Sequence, residues 1–400
     1  MKYIIIVPDG MADHPVEEIG GRTPLEVANT PNMDYLAQRG CTGLVQTIPK
    51  GMRPGSDVAN MSLLGYDPKT CSFGRASLEA ANLGVNIEDD EVAFRCNLVT
   101  VENNNMIDYS SGHISTKEAS LLIDALNEEM GFPEIKLYTG KSYRHLLVLK
   151  TNNAKEFLKI DATPPHDILS KDIKPYLPKG NNADVLLKYM EKSVEILKKH
   201  SVNKVRIDLK ENPANMIWLW GQGGKLNIPS FEDKFGVKGS IISAVDLVNG
   251  LGKITDLDVV TVPGITGYYD TNYLGKAEYG LESLKSRDFV YIHIEAPDEA
   301  GHNGDLNAKI RSIEQIDKHI VGTAINNFGE HDDVRILVVP DHATPLNLRT
   351  HTSEPVGFVM YGKGLPLDNS SSFSEKIASS QELRFESGCE LTKYFIKKYT

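Results

Sequence analysis

The chain has 400 residues, 40% of them hydrophobic and 24% charged, and a formal net charge of -11. At roughly 150 residues per domain, that length admits two domains. An acidic chain without a basic cluster is expected to bind neither nucleic acid nor an anionic membrane, and an anionic substrate would need local cations or metal ions.

The first predicted element is a strand, "YIIIVP" at 3–8, closed by Pro8 and followed by Asp9. Its continuous apolar run fits a strand buried on both faces of a mainly parallel sheet. The run is too short for a signal-peptide core, and nowhere does the chain reach the ~20 apolar residues of a membrane span. Cys41, Cys71, Cys96 and Cys389 lie far apart without Cys-x-x-Cys spacing, so neither a disulfide framework nor a zinc ribbon is expected. A reduced, cytoplasmic protein is the resulting expectation. "TPNMDYLAQRG" (30–40) predicts a helix with Thr30 at its cap, Pro31 in its first turn and Gly40 at its end. In "MRPGSDVANMSLLGYDP" (52–68), Pro54-Gly55 signals a turn and Ser56 opens a helix. A serine there is commonly a simple cap. A helix N-terminus is also an anion site, and a metal ion can deprotonate the hydroxyl.

The middle of the chain reads as a separate α+β module. "EVAFRCNLVTVENNNMIDYS" (91–110) predicts a hairpin turning at the Asn run, "EASLLIDALNEEM" (118–130) a helix and "YRHLLVLKT" (143–151) a strand. "ADVLLKYMEKSVEILKKH" (183–200) is a strongly amphipathic helix. "GQGGK" (221–225) is glycine-rich, but Leu226 stands where a P-loop needs Ser or Thr.

Sheet-type runs then return. "FVYIHIEAP" (289–297) leads to Asp298, and "RILVVP" (335–340) to Asp341. Between them "AKIRSIEQIDKHIVGTAINNF" (308–328) carries Ile310, Ile313, Ile316, Ile320 and Val321 at helical spacing. Strand, helix and strand in succession predict an α/β layer fold with a mainly parallel sheet. Ligands of such sheets gather beyond the carboxyl ends of the strands, where three acids follow three strands. "DEAGH" places His302 four residues after Asp298, on one helical face. Asp341 and His342 are consecutive and His351 follows after a loop. Taken singly, each is also ordinary helix surface, turn or loop chemistry. Together they suggest a dinuclear carboxylate–imidazole site for manganese, zinc or magnesium.

Four segments, "VPDGMAD", "GSDVANMSLLGYDP", "EAPDEAGHNGD" and "PDHATPLNLRTHTSEPVGFVMYG", resemble the archaeal-type cofactor-independent phosphoglycerate mutases of the alkaline phosphatase superfamily. "DYSSGHIS", "YRHLLVL", "TPPHDI" and "DTNYLGKA" are similar to that family's other segments, so the resemblance spans nearly the whole chain. It implies an alkaline-phosphatase-like parallel sheet sandwiched by helices, formed by 1–72 and 235–400, with an inserted α+β lid at 73–234. It implies interconversion of 3- and 2-phosphoglycerate, in glycolysis and gluconeogenesis, through a phosphoserine at Ser56. Two divalent ions, manganese first, and no organic cofactor are implied. Asp9, Asp341, His342 and Ser56 would hold one ion, and Asp298, His302 and His351 the other. Lys276 would polarise the phosphoryl group. In the insertion His113, Arg144 and His166 are candidates for the substrate carboxylate, and Asp108 for a substrate hydroxyl or a turn cap. A monomer or small homo-oligomer is expected. Two rivals stay open. "WLWGQG" (218–223) and "IEAPDEAGH" resemble a subgroup proposed to phosphorylate homoserine, and a metal-dependent phosphatase would use the same ligands.

Overall fold

The computed structural model describes residues 1–70, 74–226, 228–328 and 333–396. Cys71 and the expected 72/73 boundary lie outside them. The chain divides into two compact units, Met1–Ser72 with Ile228–Thr400, and Phe73–Asn227. The expected return boundary at 234–235 therefore moves to 227–228. Side-chain packing explains the shift. Phe231 is buried and stacks on Phe289 at 4.4 Å, its amide donates to Thr255 O, and Tyr66 Oη donates to Pro229 O.

The first unit is built on an 8-stranded sheet. Its central strands are Lys2–Pro8, Phe289–Ile294 and Val334–Val338, close to the three predicted runs. Lys2–Pro8 lies between the other two and is parallel to both. Gly239–Ile242 continues the parallel block beside Phe289–Ile294. On the other side Val356–Gly362 and Cys41–Val45 add antiparallel pairs. The apolar runs are explained by burial: Ile4, Ile5, Ile6, Val290, Ile336 and Val338 are all fully buried. Helices Pro31–Gln38 and Leu306–Ile316 pack their apolar residues against this core. Thr30 precedes the first of them as expected, but its side chain makes no capping bond and the helix stops before Arg39. The long helical pattern at 308–328 is interrupted. Leu306–Ile316 runs through a π-turn at Asp317–Val321 into Gly322–Asn327. Asp317 accounts for the anchoring there, since its carboxylate accepts the backbone amides of Asn32 and Met33.

The second unit is a 5-stranded antiparallel sheet. Glu91–Glu102 is its long strand, and the predicted turn follows, with Asn103 and Asn104 at φ 48 and 62°. Asn tolerates that left-handed region better than most residues. Arg144–Lys150 and Met216–Gly223 flank the long strand. "WLWGQG" lies in the strand Met216–Gly223, with Trp218 fully buried. Helices Thr116–Glu129 and Ala183–Leu197 supply apolar residues to this unit's main core. Among the described residues, no helix is long and apolar enough to cross a membrane.

Candidate metal centre and active site

Parallel pairing brings the expected ligands to one end of the sheet. The register sets Val7 beside His293 and Pro8 beside Ile294, and the Asp9 amide donates to Ile294 O. The chain then turns at Gly10, whose φ is +60°. A Cβ there would lie 2.5 Å from Asp298 Oδ1, so this position needs glycine for space as well as conformation. The Gly10 amide donates to Asp341 Oδ1 at 3.1 Å.

Ser56 is the first residue of the helix Ser56–Leu63, and Gly55 occupies the cap position. Its hydroxyl caps nothing; it lies 3.2 Å from His342 Nε2. One turn later Asn60 donates to Ser56 O and to Asp341 Oδ2, at 2.9 and 2.8 Å, and accepts from Tyr291 Oη. Asn60 therefore ties the serine helix to the Asp341 carboxylate.

Asp298 and His302 share a face of the helix Ala296–Asn303, with His302 Nε2 3.2 Å from Asp298 Oδ2. His351 Nε2 is 3.5 Å from Asp298 Oδ1 and 2.9 Å from His302 Nε2. Thr344 Oγ1 donates to Asp298 Oδ1 and lies 3.3 Å from His342 Nδ1. The His342 ring is 4.1 Å from that of His351, while its Nε2 is 3.6 Å from Asp9 Oδ1 and 3.5 Å from Asp341 Oδ2. Two triplets of converging ligand atoms result, each within 4.8 Å: Asp298, His342 and His351, and Asp9, His293 and Asp341. His342 sits between them, and His293 takes a place that the sequence reading gave to no residue.

The electrostatics are those of a cation site. Burial pushes the Asp9 carboxyl well above the usual carboxylate range, and the charges of Asp341 and Asp298 push it further. Burial would also raise Asp298, but hydrogen bonding to His302 and His351 holds it well below its ordinary value. The His302 imidazole is raised in turn to about 9, chiefly by Asp298. Burial depresses His342. Asp9 Oδ1 is buried and has no hydrogen-bond partner among the described residues. Three neighbouring carboxylates, close imidazoles and an orphaned oxygen fit divalent metal ions.

Lys276 is fully buried on the helix Tyr273–Ser283, and its Nζ donates to His293 O at 2.6 Å and Glu295 Oε2 at 2.8 Å. A second buried lysine, Lys309, donates to Asp13 Oδ2 at 2.6 Å and Thr344 O at 2.9 Å, joining the loops after two ligand-bearing strands. Sequence reading missed Asn60, Thr344, Lys309 and His293. Only the last left a signal, a histidine in the middle of an otherwise apolar strand.

The substrate candidates of the inserted unit fall into two groups. Asp108 accepts from Ser110 N, Ser110 Oγ and Gly112 N in its own turn, and from Asn212 Nδ2, 104 positions along the chain. His113 and Arg144 lie beside the Tyr143 ring, and His166 between Tyr109 and Trp220. Arg95 stacks over Trp220 at 4.2 Å and joins this cluster.

Residues 37–203 match the family model described as 2,3-bisphosphoglycerate-independent phosphoglycerate mutase. A Methanosarcina barkeri protein of that name is 46% identical over 399 residues, covering 99% of this chain and 100% of the relative. The chain belongs to this mutase family. A Methanosarcina acetivorans relative of the same name is 49% identical over 90% of each chain. A solved Pyrococcus horikoshii structure superposes with a TM-score of 0.83 at 30% identity, covering 100% of this chain and 99% of the other. The cofactor-independent phosphoglycerate mutase of Thermoplasma acidophilum gives 0.71 at 29% identity, with 99% of each chain covered. The mutase family thus accounts for both units, including the inserted antiparallel sheet.

Proposed function

We infer that the chain interconverts 3-phosphoglycerate and 2-phosphoglycerate without 2,3-bisphosphoglycerate, through a phosphoserine at Ser56. The observation that carries this reading is Ser56 Oγ, free of any capping role, 3.2 Å from His342 Nε2 among the converging ligands. Two divalent ions, manganese first, fit these residues, with Asp9, Ser56, Asp341 and His342 assigned to one and Asp298, His302 and His351 to the other. Such ions, when bound, lower the serine pKa and offset charge on the phosphoryl oxygens.

Ser56 Oγ gives up its proton and bonds to phosphorus as the ester bond to the substrate's C3 oxygen breaks, and that oxygen takes up a proton. The glycerate stays bound and turns over. Its 2-hydroxyl then gives up its proton and takes the phosphoryl group as the Ser56 Oγ–phosphorus bond breaks, and Ser56 Oγ takes a proton back. Ser56 opens its helix, and a helix N-terminus favours a neighbouring anion. Retention of glycerate and exclusion of water distinguish this outcome from phosphatase action. His113, Arg144 and His166 remain the candidates for the substrate carboxylate, each testable by the KM of an alanine variant.

The deciding assay is 3- to 2-phosphoglycerate conversion with added Mn2+, for wild type and Ser56→Ala, with phosphate release and ATP-dependent homoserine phosphorylation measured alongside. Isomerisation exceeding both other activities, and falling by several orders of magnitude in the variant, is expected. Near-wild-type conversion by Ser56→Ala would refute the phosphoserine route.

A further inference from the structure

His293 is fully buried at the end of the Phe289–Ile294 strand, at the bottom of the Asp9–Asp341 cluster. Its Nε2 lies 3.2 Å from Asp9 Oδ2, yet it makes no hydrogen bond with any described residue. Asp9 Oδ1 is orphaned in the same pocket. A buried polar atom without a partner costs about 1–3 kcal/mol, so two of them facing one small volume call for a shared partner.

The other side of the ring is fully engaged. Nδ1 lies 3.2 Å from Glu295 Oε1 and 3.2 Å from Ser243 Oγ. Ser243 Oγ and the Ala244 amide donate to the same Glu295 oxygen, at 2.8 and 2.9 Å. Glu295 Oε2 receives Lys276 Nζ, which also binds the His293 carbonyl. A carboxylate behind one ring nitrogen is the arrangement that orients metal-binding imidazoles and presents the other nitrogen to the ion. Three acidic side chains, Asp9, Asp341 and Glu295, surround the ring, and Lys276 pairs with the last of them.

We propose that His293 Nε2 is a further ligand of the ion held by Asp9 and Asp341, with Glu295 and Lys276 as positioning residues behind it. This rests on the two-metal reading of the site and deepens it. A core histidine merely paired with Asp9 would explain the Nε2–Oδ2 approach. It would explain neither the orphaned Asp9 Oδ1 nor the Glu295–Lys276 brace. The proposal also gives Lys276 a task its burial permits, acting on the metal site through Glu295 and the imidazole rather than on substrate directly.

The test is metal binding by the full chain, with 15N-labelled histidine followed by NMR during a Zn2+ titration and Mn2+ affinity measured by calorimetry. In wild type, four imidazoles (His293, His302, His342 and His351) should respond to Zn2+. In His293→Gln, one Mn2+ site should weaken by at least about 10–100-fold, and in Glu295→Gln by a similar or smaller factor. A folded His293→Gln protein with both sites at wild-type affinity would overturn the proposal. Should that variant fail to fold, the wild-type titration decides alone: only three responding imidazoles defeat the inference. Mutase activity with metal bound and three responding rings sinks this proposal while sparing the function. Wild type that binds no metal and isomerises nothing sinks both.

Discussion

Lys309→Met isolates the buried pair that joins two ligand loops. Lys309 and Asp13 are both nearly inaccessible, with Nζ 2.6 Å from Asp13 Oδ2. Nζ also donates to Thr344 O and Ala12 O, and Asp13 accepts the Leu346 amide. Burial depresses the lysine, with Asp13 opposing the shift, so the pair stands or falls together. Methionine fills much the same volume but leaves the Asp13 charge buried and unmatched. Removing one partner of such a pair costs about 3–5 kcal/mol. At roughly 2–4 °C per kcal/mol for a unit of this size, Tm should fall by about 6–20 °C. The Lys309→Met/Asp13→Asn double variant should recover part of that loss, because the stranded charge is gone. Urea unfolding of both variants beside wild type, with Mn2+ affinity as a second readout, measures the effect. A single variant within about 1 kcal/mol of wild type, or a double variant less stable than the single, would refute the assignment.

Other expectations follow from particular positions. Gly10→Ala should lose metal affinity and at least about 1–2 kcal/mol of stability, because a Cβ meets Asp298 at a left-handed φ; an unchanged melting curve would contradict this. Burial lowers His145 to about 4, so the unfolded chain takes up a proton that the folded chain refuses. The inserted unit should therefore lose stability as pH falls from about 6.5 towards 4, by roughly 3 kcal/mol at the acid end. His145→Asn, which keeps an acceptor for the Gly140 amide, should flatten that slope in pH-dependent urea titrations; an equally steep slope would assign it elsewhere. Chelation should lower Tm, and readdition of Mn2+ at about 100 times Kd should restore about 2.7 kcal/mol; a Tm indifferent to both would argue against resident ions.

Much of the centre was legible because its signals are local. An apolar run ending at Pro8 or Pro340 marks where a buried strand stops, and Asp9 and Asp341 follow at once. Asp298 and His302 meet because i and i+4 share a helical face, whatever the rest of the fold does. Ser56 was ambiguous for the same reason: a serine opening a helix looks alike whether it caps or reacts. What the fold adds is the contact between the Ser56 hydroxyl and His342 Nε2, 286 positions away, at 3.2 Å.

The remainder depended on long-range register. His293 faces Asp9 because two strands pair in parallel with Val7 opposite His293, a choice no short window contains. Lys276 was expected to polarise a phosphoryl group and Lys309 was given no role; both are buried ion-pair partners, a placement set by how their helices pack. The 227–228 boundary likewise follows from Phe231 stacking on Phe289, not from any composition shift. Sequence alone determined which residues stand at strand ends and which share a helical turn, since those follow from backbone period. Which imidazole meets which carboxylate was decided by strand order and packing, because such contacts join segments that are neighbours only in the folded chain.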